Sequence, residues 1–491
     1  MSGIDAERQR RLIVAGQHKA HLTVGELWRR YFELGGTASP IEVDAFLNGA
    51  LALPGDQRDR LSLAVNEHLD GLAGQRRAPY SRPLREIEPL SGPLAALTTL
   101  LEGTHLAPPD AGPRATDAAA ARLGVRTVIY LLDYAQERLV PFPGEHGHGR
   151  EPLPIDGTLP GRAFRSLQTQ GTVSDDGQAR LWVPIIDGAE RLGVLDVMVD
   201  DAEEITDSSL RGQCWWLAHY LGHLLTALGR YGDAIDHVRL SRARTVQAEL
   251  VWQLLPPLTA GTDKVVVSGR LEPCHDVGGD VFDYALSSSS AQVAVIDASG
   301  HDLHAGLTAA AALATYRKAR HSGARLFDQA EAIHRIIADK FGGETFATAV
   351  LGELDVHTGL FRYLAAGHPS PLLLRGGKVV KALDGGRRPL LGLDATDVTL
   401  GEERLEPGDT VVIYTDGITE ARDARDHFFG LERLADTLER ASDENVMAAE
   451  MVRRVIKAIL QHQGDVLQDD ATLLLLQWTD QRAELDPPPL F

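Results

Sequence analysis

The chain has 491 residues, a length that predicts two to four domains with ample core. Its formal charge of −20 excludes nucleic acid and an anionic membrane surface as partners, because both need a cationic face. Cys214 and Cys274 are the two cysteines, without metal or redox spacing, which fits a reducing cytoplasm and no disulfide framework. The start, Ala6-Glu-Arg-Gln-Arg-Arg11, is charged with no apolar stretch behind it, and no apolar run approaches transmembrane length. A cytoplasmic protein is expected.

Residues 1–80 read as a helical module. Leu27, Trp28, Tyr31, Phe32 and Leu34 mark one apolar face, stopped by Gly35-Gly36. Ser39 is placed to cap the next helix, with Pro40 at its first position. Phe46, Leu47, Leu51 and Leu53 follow at helical spacing, and Pro54-Gly55-Asp56 turns the chain into Leu61, Val65, Leu69 and Leu72. The aromatic cluster reads as core and the module offers no chemistry. Residues 78–83 read as a linker.

From 90 to 230 the texture changes. Helices are expected at 95–101 and 115–123, strands at 127–133, 138–142, 179–186 and 192–199, a helix near 158–169 and a long one over 207–228. With Gly157-Thr-Leu-Pro-Gly-Arg-Ala163 before the middle helix, and the hairpin Trp182-Val-Pro-Ile-Ile186 with Leu192-Gly-Val-Leu-Asp196, this order resembles a GAF domain. The resemblance implies an α/β sensor domain that takes a small-molecule or protein ligand. No Cys or His arrangement here would hold a haem or a bilin, and His146 and His148 read as part of a solvated Gly-rich turn. Residues 231–257 then read as a linker helix. Leu240, Ala243, Gln247, Leu250 and Leu254 recur at 3, 4, 3 and 4, a short coiled-coil seam with one polar position. That seam and the GAF-like domain predict a homodimer; the alternative is a helix packed on its own domain. Pro256 ends the helix by disfavouring α geometry at Leu255.

Within 258–480, helices are expected at 305–320, 327–341, 431–438 and 445–463, around a hairpin 346–354/360–364 and a strand 371–375. Strands here end on acids. Val281, Phe282 and Tyr284 follow Asp280, and the apolar run Gln292-Val-Ala-Val-Ile296 stops at Asp297, so a hairpin brings Asp280 and Asp297 to one sheet edge. Val411-Val-Ile-Tyr-Thr415 ends on Asp416-Gly417, and Asp469-Asp470-Ala-Thr472 opens another strand. Any single Asp-Gly is ordinarily a turn former. Carboxylates gathered side by side are unfavourable unless a cation neutralises them, so four strand-end acids describe a hard-metal site.

The segments Val277–Asp283, 297–301, Ala366-Gly-His368-Pro-Ser-Pro371, Leu405-Glu-Pro-Gly-Asp409, Tyr414-Thr-Asp-Gly-Ile-Thr-Glu420 and 469–472 resemble the metal-dependent (PPM-type, protein phosphatase 2C-like) serine/threonine phosphatases, in the SpoIIE/RsbU-like branch. The fold implied is an α+β multidomain chain whose C-terminal part is a β-sandwich flanked by helices. The resemblance implies two Mn²⁺ or Mg²⁺ ions, with Asp297 bridging them, Asp416 and Asp469 on one, Asp280 on the other and the Ala298 carbonyl as a further ligand. It also implies a phosphorylated protein substrate, an anti-sigma-factor antagonist or similar regulator. Asp302 departs from the Gly expected after Gly300-His301 and reads as a helix cap rather than a ligand. His368 reads as holding its tight turn. A non-catalytic scaffold that binds partners is the alternative, and the presence of all four acids weighs against it.

Overall fold

The computed structural model describes residues 5–70, 92–146, 148–173, 177–272, 278–300, 302–342, 345–393, 397–464, 467 and 469–479. Residues 78–83, Cys274, Val277 and His301, each named above, lie outside them. The chain divides into two compact units, residues 1–89 and 90–491.

The first unit is helical, as its patterning requires. Helices Ala6–Lys19, Val24–Glu33, Pro40–Leu47 and Gly55–Asp70 bury Ile13, Leu27, Tyr31, Val43, Phe46, Leu61 and Val65 together. Thr23 with Glu26, and Ser39 with Glu42, form reciprocal capping boxes, and Pro40 opens its helix as expected. The aromatic cluster divides. Tyr31 is core, whereas Phe32 is 59% exposed and stacks on Trp28 at 5.4 Å.

The second unit begins with a six-stranded antiparallel sheet, in which Leu153–Pro154, Arg138–Phe142, Arg126–Leu132, Glu190–Val199, Ala179–Asp187 and Gln170–Val173 lie side by side in that order. Helices Gly92–Thr104, Gly112–Ala121 and Ser208–Leu228 cover one face; Leu159–Ser166 covers the other. Thr158 caps this last helix, and a Cβ at Gly161 would collide with the Ile155 carbonyl, which is why the turn carries glycine there. His146 and His148 lie in the turn after Arg138–Phe142, the first half-buried and the second exposed.

Two further six-stranded sheets then stack face to face. One runs Arg387–Arg388, Leu360–Ala366, Ala347–Asp355, Ser290–Ala298, Asp280–Leu286, with Gly401–Arg404 paired to Leu360–Ala366. The other runs Lys378–Ala382, Leu372–Arg375, Thr410–Tyr414, Ala471–Trp478, Val265–Glu272, Thr259–Gly261. Alternation decides which side chain faces which layer. Val411, Ile413, Leu474 and Leu476 point into the sandwich, while Val412, Tyr414, Leu473 and Leu475 point out onto helices Gly430–Asp443 and Ala448–Gln463. Helices Leu303–His321 and Leu326–Phe341 cover the opposite side. Strands buried on both faces need nearly continuous apolar sequence, which Leu473–Leu476 and Val411–Ile413 supply.

The connecting segment departs from its expected form. The continuous helix over 231–257 is two short helices, Ala234–Arg239 and Val246–Leu254. Between them Leu240 is extended, and Thr245 caps the second helix through Ala248 N. The five seam positions therefore share no single helix face. Side-chain stacking fixes the break: Arg239 and Arg244 each lie over Tyr134, at 4.2 and 4.1 Å, and Arg244 also lies 4.6 Å from the Trp252 ring. Val246–Leu254 instead buries Ala248 and Val251 in the sandwich core.

Candidate metal centre

The hairpin does what its alternation requires. Asp280 and Asp297 are direct cross-strand partners at the open end of their sheet, and Asp297 faces Thr348 on its other side. Ala298 N donates to Gly279 O at 3.1 Å, and a Cβ on Gly279 would stand 2.2 Å from the Ala298 carbonyl oxygen. Only glycine permits that approach, so Gly279 sets the position of the carbonyl expected to be a ligand.

The second sheet delivers the other acids. Thr415 N donates to Thr472 O at 3.0 Å, tying the end of Thr410–Tyr414 to the start of Ala471–Trp478. Asp416 opens the short helix Asp416–Thr419, and a Cβ on Gly417 would collide with the Asp470 carbonyl. Asp416 and Asp469 are exposed, Asp297 and Asp470 half-buried, and Asp280 buried. The acids thus grade from a buried carboxylate to exposed ones at this end of the sandwich.

Three hydroxyls orient the carboxylates. Thr415 and Thr472 both donate to Asp280 Oδ2, at 2.9 and 2.7 Å. Thr348 donates to Asp297 Oδ2 at 3.4 Å and meets His368 Nδ1 at 2.6 Å. Burial pushes the His368 imidazole down to about 4, so the ring is neutral. A neutral ring can carry its proton on Nδ1 and donate it to Thr348, which leaves the threonine hydrogen for Asp297. His368, expected to hold its own turn, instead directs its Nδ1 to Thr348 beside the site.

Asp470 has a separate task. Its carboxylate accepts from Gly278 N at 2.8 and 3.0 Å and from Gly279 N at 2.8 Å, with Asp280 N at 3.4 Å. That clamp fixes the turn carrying Asp280, while Asp469 stays exposed. Sequence reasoning gave no role to Asp470, Thr415, Thr472 or Thr348. The available signal was a polar residue flanking an acid at the end of an otherwise apolar strand.

The electrostatics are those of uncompensated charge. Burial, then Asp297 and Asp470, hold the Asp280 carboxyl well above the usual range. Burial, then Asp416, Asp469 and Asp470, push Asp297 up to about 7. Asp416 is raised by burial, Asp469 and Glu420, and burial leads the rise of Asp470 to about 6. Among the described residues no Lys, Arg or His pairs with any of the five. Among the described residues, too, no three Asp, Glu, His or Cys stand close enough together to hold a metal ion as they are placed. The donor chemistry nonetheless suits hard divalent ions: oxygen only, negative, and mutually repelling until a cation arrives. Asp302 stays outside this set, capping Leu303–His321 by accepting from His304 N at 3.0 Å and Ala305 N at 3.1 Å, as expected.

Comparison with known proteins finds a family match for part of the chain. Residues 287–479 match the family model for Stage II sporulation protein E (SpoIIE). Protein IcfG of Synechocystis sp. is 24% identical over 276 residues, which is 49% of this chain and 42% of that protein. Phosphoserine phosphatase RsbU of Bacillus subtilis is 25% identical over 271 residues, covering 53% of this chain and 79% of that one. Among solved structures, the SiaA-PP2C domain of Pseudomonas aeruginosa aligns over 52% of this chain and 99% of its own, at 21% identity and a TM-score of 0.41.

Proposed function

We propose, from the premise that residues 287–479 carry a SpoIIE-type PP2C domain, that the chain is a metal-dependent protein serine/threonine phosphatase. One observation carries the reading: acids from two separate sheets face one another at one end of the sandwich and, among the described residues, no basic residue pairs with them. Asp280, Asp297, Asp416 and Asp469, with the Ala298 carbonyl, are the residues that would hold two Mn²⁺ or Mg²⁺ ions. Such a pair activates a water and neutralises charge building on phosphoryl oxygens. The chain's own part is positional. Thr415, Thr472 and Thr348 fix carboxylate orientation, and the Asp470 clamp fixes the 278–280 turn. The exposed rim at Asp416 and Asp469 admits a phosphorylated side chain that stands out from a protein surface.

The substrate class we assign is a phosphorylated regulator of the anti-sigma-factor-antagonist kind, supported by the similarity to the phosphoserine phosphatase RsbU. The sheet-and-helix domain of residues 90–230 is read as a GAF-like sensor controlling the phosphatase. Its long helix Ser208–Leu228 leaves Tyr220 and Leu224 only partly covered, and we assign a homodimer to that face rather than to the connecting segment. The test is hydrolysis of p-nitrophenyl phosphate and of a phosphoserine protein with Mn²⁺ against EDTA. Turnover with Mn²⁺, lost in EDTA and lost in Asp297→Asn, is expected. Turnover that survives EDTA would reject the metal-centred reading.

A further inference from the structure

The sensor-like domain meets the phosphatase at several points: the Tyr134 and Trp252 rings stand 5.4 Å apart, Thr259 N donates to Glu190, and Arg270 Nη2 donates to Ala135 O at 2.6 Å. The most strongly charged contact is at helix Ala448–Gln463. Glu450, its side chain 2% exposed, accepts from Arg453 Nε at 2.8 Å and Nη2 at 3.0 Å, from Arg454 Nε at 3.2 Å and from Arg191 Nη1 at 3.5 Å. Arg191 comes from the sensor strand Glu190–Val199 and lies 4.6 Å over the Phe164 ring of the sensor's short helix. Arg453 also reaches Asp156, just before that helix, at 2.8 and 3.3 Å, and Lys457 pairs with the same carboxylate. Beside this seam the two domains leave an open cleft of about 540 Å³, lined by Leu131, Leu192 and Leu225 on one side and Trp252, Leu255 and Leu258 on the other. The apolar walls of this cleft stand apart, and along helix Ala448–Gln463 ion pairs make the join.

Buried ion pairs add little net stability compared with apolar packing, yet they are strongly unfavourable when one partner is lost. Such a join is made or unmade as a whole, which is what a two-position element requires. The helix it grips is already connected to the site. Its other face, through Val455, Ile456 and Ile459, packs with Leu473 and Leu475 of the strand that follows Asp469 and Asp470. The helix ends at Gly464, in left-handed conformation, five positions before Asp469.

We propose that the seam of Asp156, Arg191, Glu450, Arg453 and Lys457 is a latch: docking of the sensor-like domain on helix Ala448–Gln463 holds the Asp469–Asp470 turn, and undocking loosens the metal site. This inference rests on the metal-dependent reading above and locates its control in the late helix rather than in the connecting segment. Asp156→Lys sets a third cation against Arg453 and Lys457; Lys457→Asp, on a side chain 45% exposed, unbalances the seam from the opposite side and guards against a folding failure in the first variant. In EDTA, hydrogen exchange across 448–463 should speed up in each single variant. The Mn²⁺ concentration giving half of the metal-induced rise in melting temperature should increase ~2- to 30-fold, the span over which residues between coupled sites act. The double variant Asp156→Lys/Lys457→Asp restores opposite charges and should recover both readouts. Exchange that does not respond, an Mn²⁺ midpoint that stays put while exchange changes, or a double variant no better than the singles would each overturn the latch. Neither readout needs catalysis, so a wild type that hydrolyses no phosphate would reject the phosphatase reading separately.

Discussion

Replacing Asp297 by Asn removes one charge from the most crowded point of the acid cluster and changes almost nothing in shape. Asp297 is pushed from an ordinary 3.8 up to about 7 by burial and by Asp416, Asp469 and Asp470. The folded chain therefore holds this proton more tightly than the unfolded chain does. Stability from that proton is fully present below about pH 4 and is lost as pH rises through about 7. At pH 8 without metal, the folded protein carries an ionised Asp297 at a cost of about 4 kcal/mol relative to the unfolded chain, at about 1.4 kcal/mol for each tenfold change in proton affinity. Asn retains an oxygen for the Thr348 hydroxyl and carries no charge. In EDTA, Asp297→Asn should accordingly resist urea better than wild type at pH 8, by up to about 4 kcal/mol, and the gain should vanish near pH 4. Saturating Mn²⁺ should reverse the order, because the ion stabilises only the protein that binds it. A variant no more stable than wild type at pH 8 in EDTA, or equally more stable at both pH values, would refute the account of Asp297 as an uncompensated buried charge.

Other substitutions separate the supporting residues. Thr472→Val deletes a hydroxyl that donates to buried Asp280 and should cost ~1–3 kcal/mol in urea unfolding together with most of the Mn²⁺-dependent rate, whereas Thr472→Ser should retain both. Gly279→Ala pushes a methyl group into the Ala298 carbonyl and should abolish turnover while circular dichroism still reports a folded chain. Asp302→Ser should leave turnover and the Mn²⁺ midpoint unchanged, because serine caps a helix about as well as aspartate; a large rise in the midpoint would place Asp302 among the ligands.

Much of this arrangement was legible in the sequence because strand alternation and strand-end acids are local features. Gln292–Ile296 is a run that only a buried strand accommodates, so Asp297 had to fall at a sheet edge, and the hairpin set its partner. Ser39-Pro40 announced a helix start for the same local reason. The connecting segment misled because apolar residues at 3 and 4 spacing describe any amphipathic helix, continuous or not. What breaks it is Arg239 and Arg244 stacking on Tyr134, more than a hundred positions earlier, and no window of sequence contains that contact. Asp470 escaped notice for a related reason. Its partners are backbone amides at 278–280, and a backbone amide leaves no mark on composition.

The division of the acids between two sheets also sets an order of events during synthesis. Asp280 and Asp297 belong to a local hairpin and can meet as soon as it emerges. Thr472, which orients Asp280, follows 192 positions later, as does the Asp470 clamp on Gly278. At ribosomal speeds of about 5–20 residues per second, the hairpin waits on the order of 10–40 s for its other half. Over that interval Asp280 has no hydroxyl floor to enter, and both carboxylates stay hydrated at the sheet edge. Closure of the second sheet is then the step that withdraws them from water, so protons or metal must be taken up as the last strand docks. The rate at which newly made chains become active should therefore follow the supply of divalent ion at that final step, and be indifferent to it earlier.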